Sequence, residues 1–268
     1  MPQISVLMGV LEKNNRTRDL KNSINSILGQ TYSNFEFLIC DDGSSVSVQK
    51  MLEDFASRDA RIRLLRTGNL YSLPKKLNYC LMHANGTFIA RQDADDISLE
   101  QRFEKQILFL ETNPQIAFVG CNAKVICEGD FCDKRLFPEY PTKEDFLFKL
   151  PYLHPTLMFR KESIKLVDGY SESRYAVLCE DYDLLLRMYE KKCYGYNLQD
   201  ELFLYQITKQ DYKKRTYHHR INEAIIRYCR FRDLHMLLKG WPYILKPLIV
   251  GLLPHRLLNR LKKKKVLL

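Results

Sequence analysis

Three carboxylates, Asp93, Asp95 and Asp96, fall within four residues just after a short apolar run, Phe88-Ile89-Ala90. Carboxylates crowded in this way repel one another. A hard cation such as Mg²⁺ or Mn²⁺ between them removes the repulsion, usually with substrate phosphates completing its shell. A second acidic pair, Asp41-Asp42, follows another apolar run, residues 35–40, and Gly43 behind it lets the chain turn. A third, Glu180-Asp181, opens a helical pattern through Leu184, Leu185, Arg187 and Met188. A helix start favours the ionised form of a carboxylate, which is the form a general base needs. Each group alone also reads as ordinary solvated acid at a turn or in a first helical turn. No Ser or Cys stands out as a nucleophile.

The elements that position these groups follow from the hydrophobic pattern. Residues 4–8 read as a buried first strand ending at Gly9, and 16–32 as a helix with Leu20, Ile24, Ile27 and Leu28 on one face. Strands follow at 35–40, 62–65 and 88–90, and helices run through Met51, Leu52 and Phe55 and through Leu73, Leu77, Cys80, Leu81 and Ala84. Ser98 and Gln101 have capping-box spacing, which predicts a helix from Leu99 to Thr112. Strands are expected at 116–120, 155–159 and 202–205, and 122–150 reads as loop-rich. Alternating strands and helices predict a mostly parallel sheet with helices on both faces. The strands' carboxyl ends then share one side. Asp41/Asp42 and Asp93/Asp95/Asp96, about fifty residues apart, meet there in one cleft.

The 268 residues carry a net charge of +10, unevenly spread. Residues 209–268 hold 16 Lys/Arg against 3 Asp/Glu, whereas 1–208 hold 26 against 29. The expected division is therefore an α/β body, 1–208, and a basic appendage, 209–268. None of the eight cysteines forms Cys-x-x-Cys or a zinc-finger grouping, so the expectation is reduced thiols in a cytosolic protein. Met1-Pro2-Gln3 runs straight into the first strand without a basic n-region, and no stretch reaches the roughly 18–20 apolar residues of a membrane span.

Taken together, the motifs resemble those of the family 2 glycosyltransferases. The matching pieces are Ser23-Ile24-Asn25-Ser26-Ile27-Leu28-Gly29-Gln30-Thr31-Tyr32, then Phe35-Glu36-Phe37-Leu38-Ile39-Cys40-Asp41-Asp42-Gly43-Ser44, then Ala84-Asn85-Gly86-Thr87-Phe88-Ile89-Ala90-Arg91 with Asp93-Ala94-Asp95-Asp96, and Glu180-Asp181. The resemblance covers about residues 3–205 and is nearest to bacterial transferases of capsule, exopolysaccharide or O-antigen assembly. It implies a GT-A (Rossmann-like) α/β fold and inverting, metal-dependent transfer of one sugar from a nucleotide sugar, with a UDP-sugar as donor. It also implies Mn²⁺ or Mg²⁺ as cofactor and a saccharide or lipid-linked saccharide as acceptor.

By the same resemblance Asp41 bonds the uracil, Asp93 lies near the ribose, Asp95 holds the metal and Asp181 is the catalytic base. Lys75, in Leu73-Pro74-Lys75-Lys76-Leu77-Asn78, passes near the diphosphate. His154, in His154-Pro155-Thr156, lines the acceptor side together with Glu180. By the resemblance Val10 and Glu12 lie beside the base, although the first strand ends Met8-Gly9-Val10-Leu11-Glu12 where many relatives carry a Pro or a Tyr-Asn pair. The Gln-x-x-Arg-Trp motif of processive synthases is missing after Glu180-Asp181, which favours addition of a single sugar. Two rivals are a sugar-phosphate nucleotidyltransferase, which would need a Gly-rich loop where Gly9 to Arg18 has only Gly9, and a silent scaffold subunit.

The appendage reads as an amphipathic helix over 217–239, with Ile221, Ile225, Tyr228, Phe231 and Leu238 on one side. Apolar stretches around Trp241 and Leu248 follow, then Arg256, Arg260 and Lys262-Lys263-Lys264-Lys265. Basic residues beside apolar and aromatic ones suit an anionic membrane surface, here the inner face of the cell membrane. No nucleic-acid-binding motif accompanies them.

Overall fold

The computed structural model describes residues 2–13, 17–208 and 216–252. The chain runs β1 (Ile4–Val10), α1 (Thr17–Leu28), β2 (Phe35–Asp41), α2 (Val46–Arg58), β3 (Ile62–Arg66), α3 (Leu73–His83), β4 (Phe88–Arg91) and β5 (Ile97–Ser98). It continues through α4 (Arg102–Thr112), β6 (Phe118–Cys127), β7 (Asp130–Arg135), β8 (Met158–Arg160), α5 (Lys161–Lys165), α6 (Glu180–Glu190) and β9 (Gly195–Ile207). Two further helices, α7 (Tyr217–Asp233) and α8 (Leu237–Leu252), follow.

One mixed sheet has the order β3-β2-β1-β4-β8-β6-β9-β5, with β7 paired to β6. Its first four strands are parallel, and β8 reverses the direction. β1 lies between β2 and β4, with Ile4 opposite both Phe35 and Phe88. It is apolar almost throughout because both faces are covered. Val6 and Met8 pack with Leu20 and Ile24 of α1, Leu52 of α2 and Phe103 of α4. Leu7, one residue out of step, packs on the other face with Leu77 of α3 and Leu185 of α6. Parallel strands flanked in this way place the ends of β1, β2 and β4 on one side, as the alternation predicts.

Several local readings change. Helix α4 starts at Arg102 and not at Leu99, because Ser98 lies in a short strand paired with Phe203. Its hydroxyl donates to Gln92 Oε1 at 2.7 Å and accepts from Arg102 at 2.7 Å, so it is buried in a network and is not a cap. The stretch read as loop-rich begins with the rest of β6 and a hairpin to β7, turned by Glu128 and Gly129 at positive φ. That hairpin brings Cys127 and Cys132 together in a disulfide, with Cα atoms 6.0 Å apart. The expectation of reduced thiols therefore fails for this pair and holds for the other six.

Helix α7 buries Asn222, Ala224, Ile226, Arg227 and Phe231, and not the face through Ile221 and Tyr228, both of which are exposed. Most polar groups on the buried face have partners, the exception being Asn222 Oδ1, which has none among the described residues. Arg227 donates to the Leu147 carbonyl at 2.8 Å and pairs with Glu223 at 3.1 Å, and Asn222 donates to the Arg174 carbonyl at 3.2 Å. Ile226 and Phe231 join the core cluster of the body. Pro242 and Pro247 lie inside α8 without ending it. The basic run at 256–265 lies outside the described residues.

Candidate active site

The ends of β1, β2 and β4 bring the first two acidic groups together. Val10 pairs with Asp41 and Leu7 with Arg91. The turn after β2 then divides its two carboxylates. Asp42 accepts from Thr67 Oγ1 at 2.8 Å, Leu70 N at 2.9 Å and Tyr71 N at 2.7 Å, and so ties down the loop before α3. Burial alone would raise its carboxyl pKa, but these three donors and the Lys76 charge hold it below the ordinary Asp value. Asp41 is also buried and accepts from Ser44 N at 3.1 Å across Gly43, whose φ of 85° needs a glycine. Val10 is buried and meets this turn through its carbonyl, which accepts from Asp42 N at 3.1 Å. Glu12 is half-buried, and its N–H donates to Ser44 Oγ at 3.0 Å.

Lys75 is exposed on α3, while its neighbour Lys76 is buried. Lys76 lies against the end of β1, where a Cβ on Gly9 would come within 3.2 Å of the Lys76 Cβ. Burial lowers its pKa, against the pull of Asp42 and Asp41, and the positive Arg91 adds to the lowering. The lysine facing the acidic turns is therefore Lys76. The signal was in the helical spacing, since position 76 is three residues after Leu73 and four before Cys80 and so shares their face, whereas 75 lies on the other side of the helix.

Arg91 is almost fully buried at the end of β4. Its guanidinium pairs with the Asp93 carboxylate and donates to the Gln92 carbonyl and, at 3.3 Å, to that of Leu7. Its Nε has no partner among the described residues. Gln92 braces the turn from beneath, donating to Ser23 Oγ at 3.0 Å and to the Asp96 carbonyl at 2.9 Å. Ser23 in turn donates to the Asp93 carbonyl at 2.7 Å. Arg102 holds Gln92 from the other side at 3.1 Å.

The three carboxylates of this turn do not converge on one point. Asp96 is turned inward, accepting from Gln206 N at 2.7 Å, and its other oxygen has no partner among the described residues. Burial first, then the charges of Asp93 and Asp95, push its pKa well above the ordinary Asp value. Asp93 is neutralised by Arg91, and Asp95 is exposed. The crowding is thus relieved without a cation among all three. No group of three His, Cys, Asp or Glu side chains among the described residues could hold a metal ion alone. The exposed Asp95 and its neighbour Asp93 offer oxygen donors only. That set fits Mg²⁺ or Mn²⁺, which take one or two carboxylates and complete their shells with phosphate and water.

Opposite this turn, α6 presents Glu180 and Asp181 at its first turn. Cys179 N donates to Glu180 Oε2 at 3.0 Å, and Tyr182 N to Asp181 Oδ1 at 2.7 Å. Burial and the neighbouring Asp181 charge raise the Glu180 pKa to about 7. His154 is buried, with Nε2 2.9 Å from the Tyr170 hydroxyl. Burial and the Arg91 charge keep it neutral. Burial raises the pKa of Tyr170, and the charges of Arg91, Asp93, Asp181 and Glu180 all act on its hydroxyl. The turn after β4 and the start of α6 therefore both lie within electrostatic reach of the Tyr170 hydroxyl, as does Arg91. Sequence reasoning missed both residues. Arg91, a charge at the end of an apolar strand and next to an acidic turn, was the visible sign.

The raised Glu180 pKa has a measurable consequence. Its folded value lies above the ordinary Glu value of 4.5. The stability it contributes is full below that ordinary value and is lost as pH rises through about 7. Glu180→Gln, which stays neutral, is therefore expected to exceed wild type in stability by about 1–3 kcal/mol at pH ~8, with the advantage gone by pH ~5. Urea unfolding at the two pH values measures this. An advantage that does not change with pH would contradict it.

Residues 14–168 match the model of glycosyl transferase family 2, which is more than half of the chain. The chain belongs to that family. EpsE of Bacillus subtilis (strain 168) is 36% identical to this glycosyltransferase over 267 residues, 99% of this chain and 95% of that protein. The O-antigen biosynthesis glycosyltransferase WbnJ of Escherichia coli is 36% identical over 191 residues, 70% of this chain and 72% of that protein. The crystal structure of S. aureus TarS 1–349 in complex with UDP-GlcNAc aligns with a TM-score of 0.71 at 17% identity, covering 92% of this chain and 73% of TarS 1–349. The mannosyltransferase PcManGT from Pyrobaculum calidifontis, in complex with GDP-Man and Mn²⁺, aligns with a TM-score of 0.64 at 15% identity, covering 100% of this chain and 81% of that one. At these identities the likeness is one of fold, and the fold is GT-A.

Proposed function

We propose that this family 2 glycosyltransferase moves a single sugar from a UDP-sugar to a saccharide or lipid-linked saccharide, with inversion at the anomeric carbon. The observation that carries the reading is that Asp93, paired with Arg91 in the turn after β4, and Asp181 at the start of α6 both act on the Tyr170 hydroxyl, which lies 2.9 Å from His154 Nε2. Donor and base can then flank one reacting carbon. The family likeness and the fold shared with a UDP-GlcNAc-bound enzyme support a nucleotide-sugar donor.

In this reading Asp41 receives the base, with Val10 and Glu12 alongside, and Asp93 meets the ribose. Asp95 holds Mg²⁺ or Mn²⁺, which when bound offsets the diphosphate charge. Lys76 adds a positive charge beneath the same phosphates. Asp181 takes the proton from the acceptor hydroxyl as its oxygen attacks the anomeric carbon from the face opposite the diphosphate. The new C–O bond forms, the bond to the diphosphate breaks, and UDP leaves with that electron pair. Glu180 and the neutral His154 line the acceptor side.

The acceptor chemistry suits an enzyme on the inner, anionic face of the cell membrane, where nucleotide sugars are at hand. The Cys127–Cys132 bridge removes the thiol argument for that compartment, so the placement rests on the donor.

The donor half is tested by comparing the two lysines. Lys76→Met is expected to weaken UDP binding about tenfold, the loss of one charge-assisted phosphate contact, and Lys75→Met to leave it within about twofold. Titration calorimetry reads both. Equal effects, or a larger effect at Lys75, would overturn the assignment of Lys76.

A further inference from the structure

Helix α8 is built inside out for a water-soluble protein. Its packed side carries small residues. A Cβ on Gly240 would come within 2.5 Å of the Phe231 ring, and one on Gly251 within 2.8 Å of the Tyr217 ring, so α8 lies close on α7. Pro247 is buried on the same side, and Tyr243 and Ile244 reach the body's core cluster. Large apolar side chains face outward. Leu238 is 97% exposed, Trp241 60% and Leu252 73%, with Leu245 and Ile249 also exposed between them. The spacing 238, 241, 245, 249 and 252 sets these five in one stripe along the helix.

The charge of the stretch of chain that carries the stripe has one sign. No Asp or Glu follows Asp233, while residues 234–268 contain eight Lys and Arg. Lys239 is exposed beside the stripe. Lys246 is tied to the body, donating to the Phe148 carbonyl at 3.0 Å, which fixes the rotation of α8 and therefore the outward direction of the stripe. No described helix is long and apolar enough to cross a membrane. At 16 residues α8 is roughly 24 Å long. A short helix with one apolar face and basic neighbours has the geometry of an element lying in the plane of a lipid interface.

We propose that Leu238, Trp241, Leu245, Ile249 and Leu252 form the face by which this protein enters an anionic lipid surface, α8 lying flat and α7 holding it to the body. The occupant is lipid and not another protein because the stripe is apolar and the chain from residue 234 onward carries eight Lys and Arg and no Asp or Glu, the complement of anionic headgroups over acyl chains. The inference refines the membrane placement proposed above. It is read without donor or acceptor, so its failure leaves the transfer chemistry untouched.

Trp241 is the single tryptophan of the chain and lies in the stripe, so the native protein carries its own probe. Full-length protein is mixed with phosphatidylcholine vesicles with and without phosphatidylglycerol. With phosphatidylglycerol, Trp241 emission is expected to shift to the blue and to be quenched by brominated acyl chains. The double variant Leu245→Glu/Ile249→Glu retains Trp241 and is expected to partition about tenfold more weakly or worse. Its circular dichroism and UDP titration should match wild type. Unchanged emission with anionic vesicles overturns the proposal, as does equal binding to pure phosphatidylcholine. A lipid-free dimer in which Trp241 is already shielded from iodide also overturns it, because a second copy then covers the stripe.

Discussion

Asp181→Asn is expected to lower the turnover number for sugar transfer by about 10²–10⁴-fold, the range general-base catalysis supplies. The substitution keeps the shape of the side chain and an oxygen that can accept from Tyr182 N, 2.7 Å from Asp181 Oδ1. The start of α6 and the fold should therefore persist. What is lost, in the mechanism proposed above, is the group that takes the acceptor proton. UDP affinity should stay within about twofold, because the donor is held at the opposite side of the cleft; an effect confined to turnover marks an interaction made in the transition state. Steady-state kinetics with a donor and acceptor pair, beside calorimetry with UDP, separates the two quantities. A variant that transfers sugar at more than about a tenth of the wild-type rate would remove Asp181 from the role of base.

Two residues further along α6, Asp183→Ala is expected to cost about 2–4 kcal/mol of folding stability. Asp183 is fully buried, with one oxygen 2.8 Å from Arg187 Nε and the other 2.8 Å from Arg230 Nε. It joins the helix that carries Asp181 to α7. Alanine leaves both guanidinium groups facing a buried gap. Arg187 keeps the Gly169 carbonyl at 2.8 Å, and Arg230 keeps Asp233 at 3.2 Å, which places the loss below that of a fully enclosed pair. Urea unfolding should show a lower midpoint with an unchanged slope. A loss under about 0.5 kcal/mol would mean that α7 is held by its apolar contacts alone.

The parts legible in the sequence were those set by local pattern. The apolar run of β1 and the spacing of Leu77, Cys80 and Leu81 gave strand and helix their places, and strand–helix alternation placed two acidic groups, Asp41/Asp42 and Asp93/Asp95/Asp96, at one edge. What pattern could not show was how tertiary contacts divide neighbouring residues of the same type. Asp41 and Asp42 look alike in sequence, yet Asp42 is taken up by the loop before α3. Asp96 looked like a third partner for a cation and is instead buried and turned inward onto Gln206 N. Ser98 had the spacing of a cap, but Gln92 and Arg102 claim its hydroxyl. In α7 the buried face contains Asn222 and Arg227, so a search for apolar residues grouped Ile221 and Tyr228 with Phe231, and of these three only Phe231 is buried. The Cys127–Cys132 pair depends on a hairpin that the pattern left as loop.

The measurement that most directly tests the central claim is calorimetric titration of UDP into wild type and Asp95→Ala, each with Mn²⁺ and with a chelator. It needs no knowledge of the sugar or the acceptor. The account predicts that UDP binds wild type in Mn²⁺ and that chelation or Asp95→Ala weakens binding by about tenfold or more. GDP should bind more weakly than UDP. A correctly folded wild-type protein that binds neither nucleotide in any of these conditions would contradict the account.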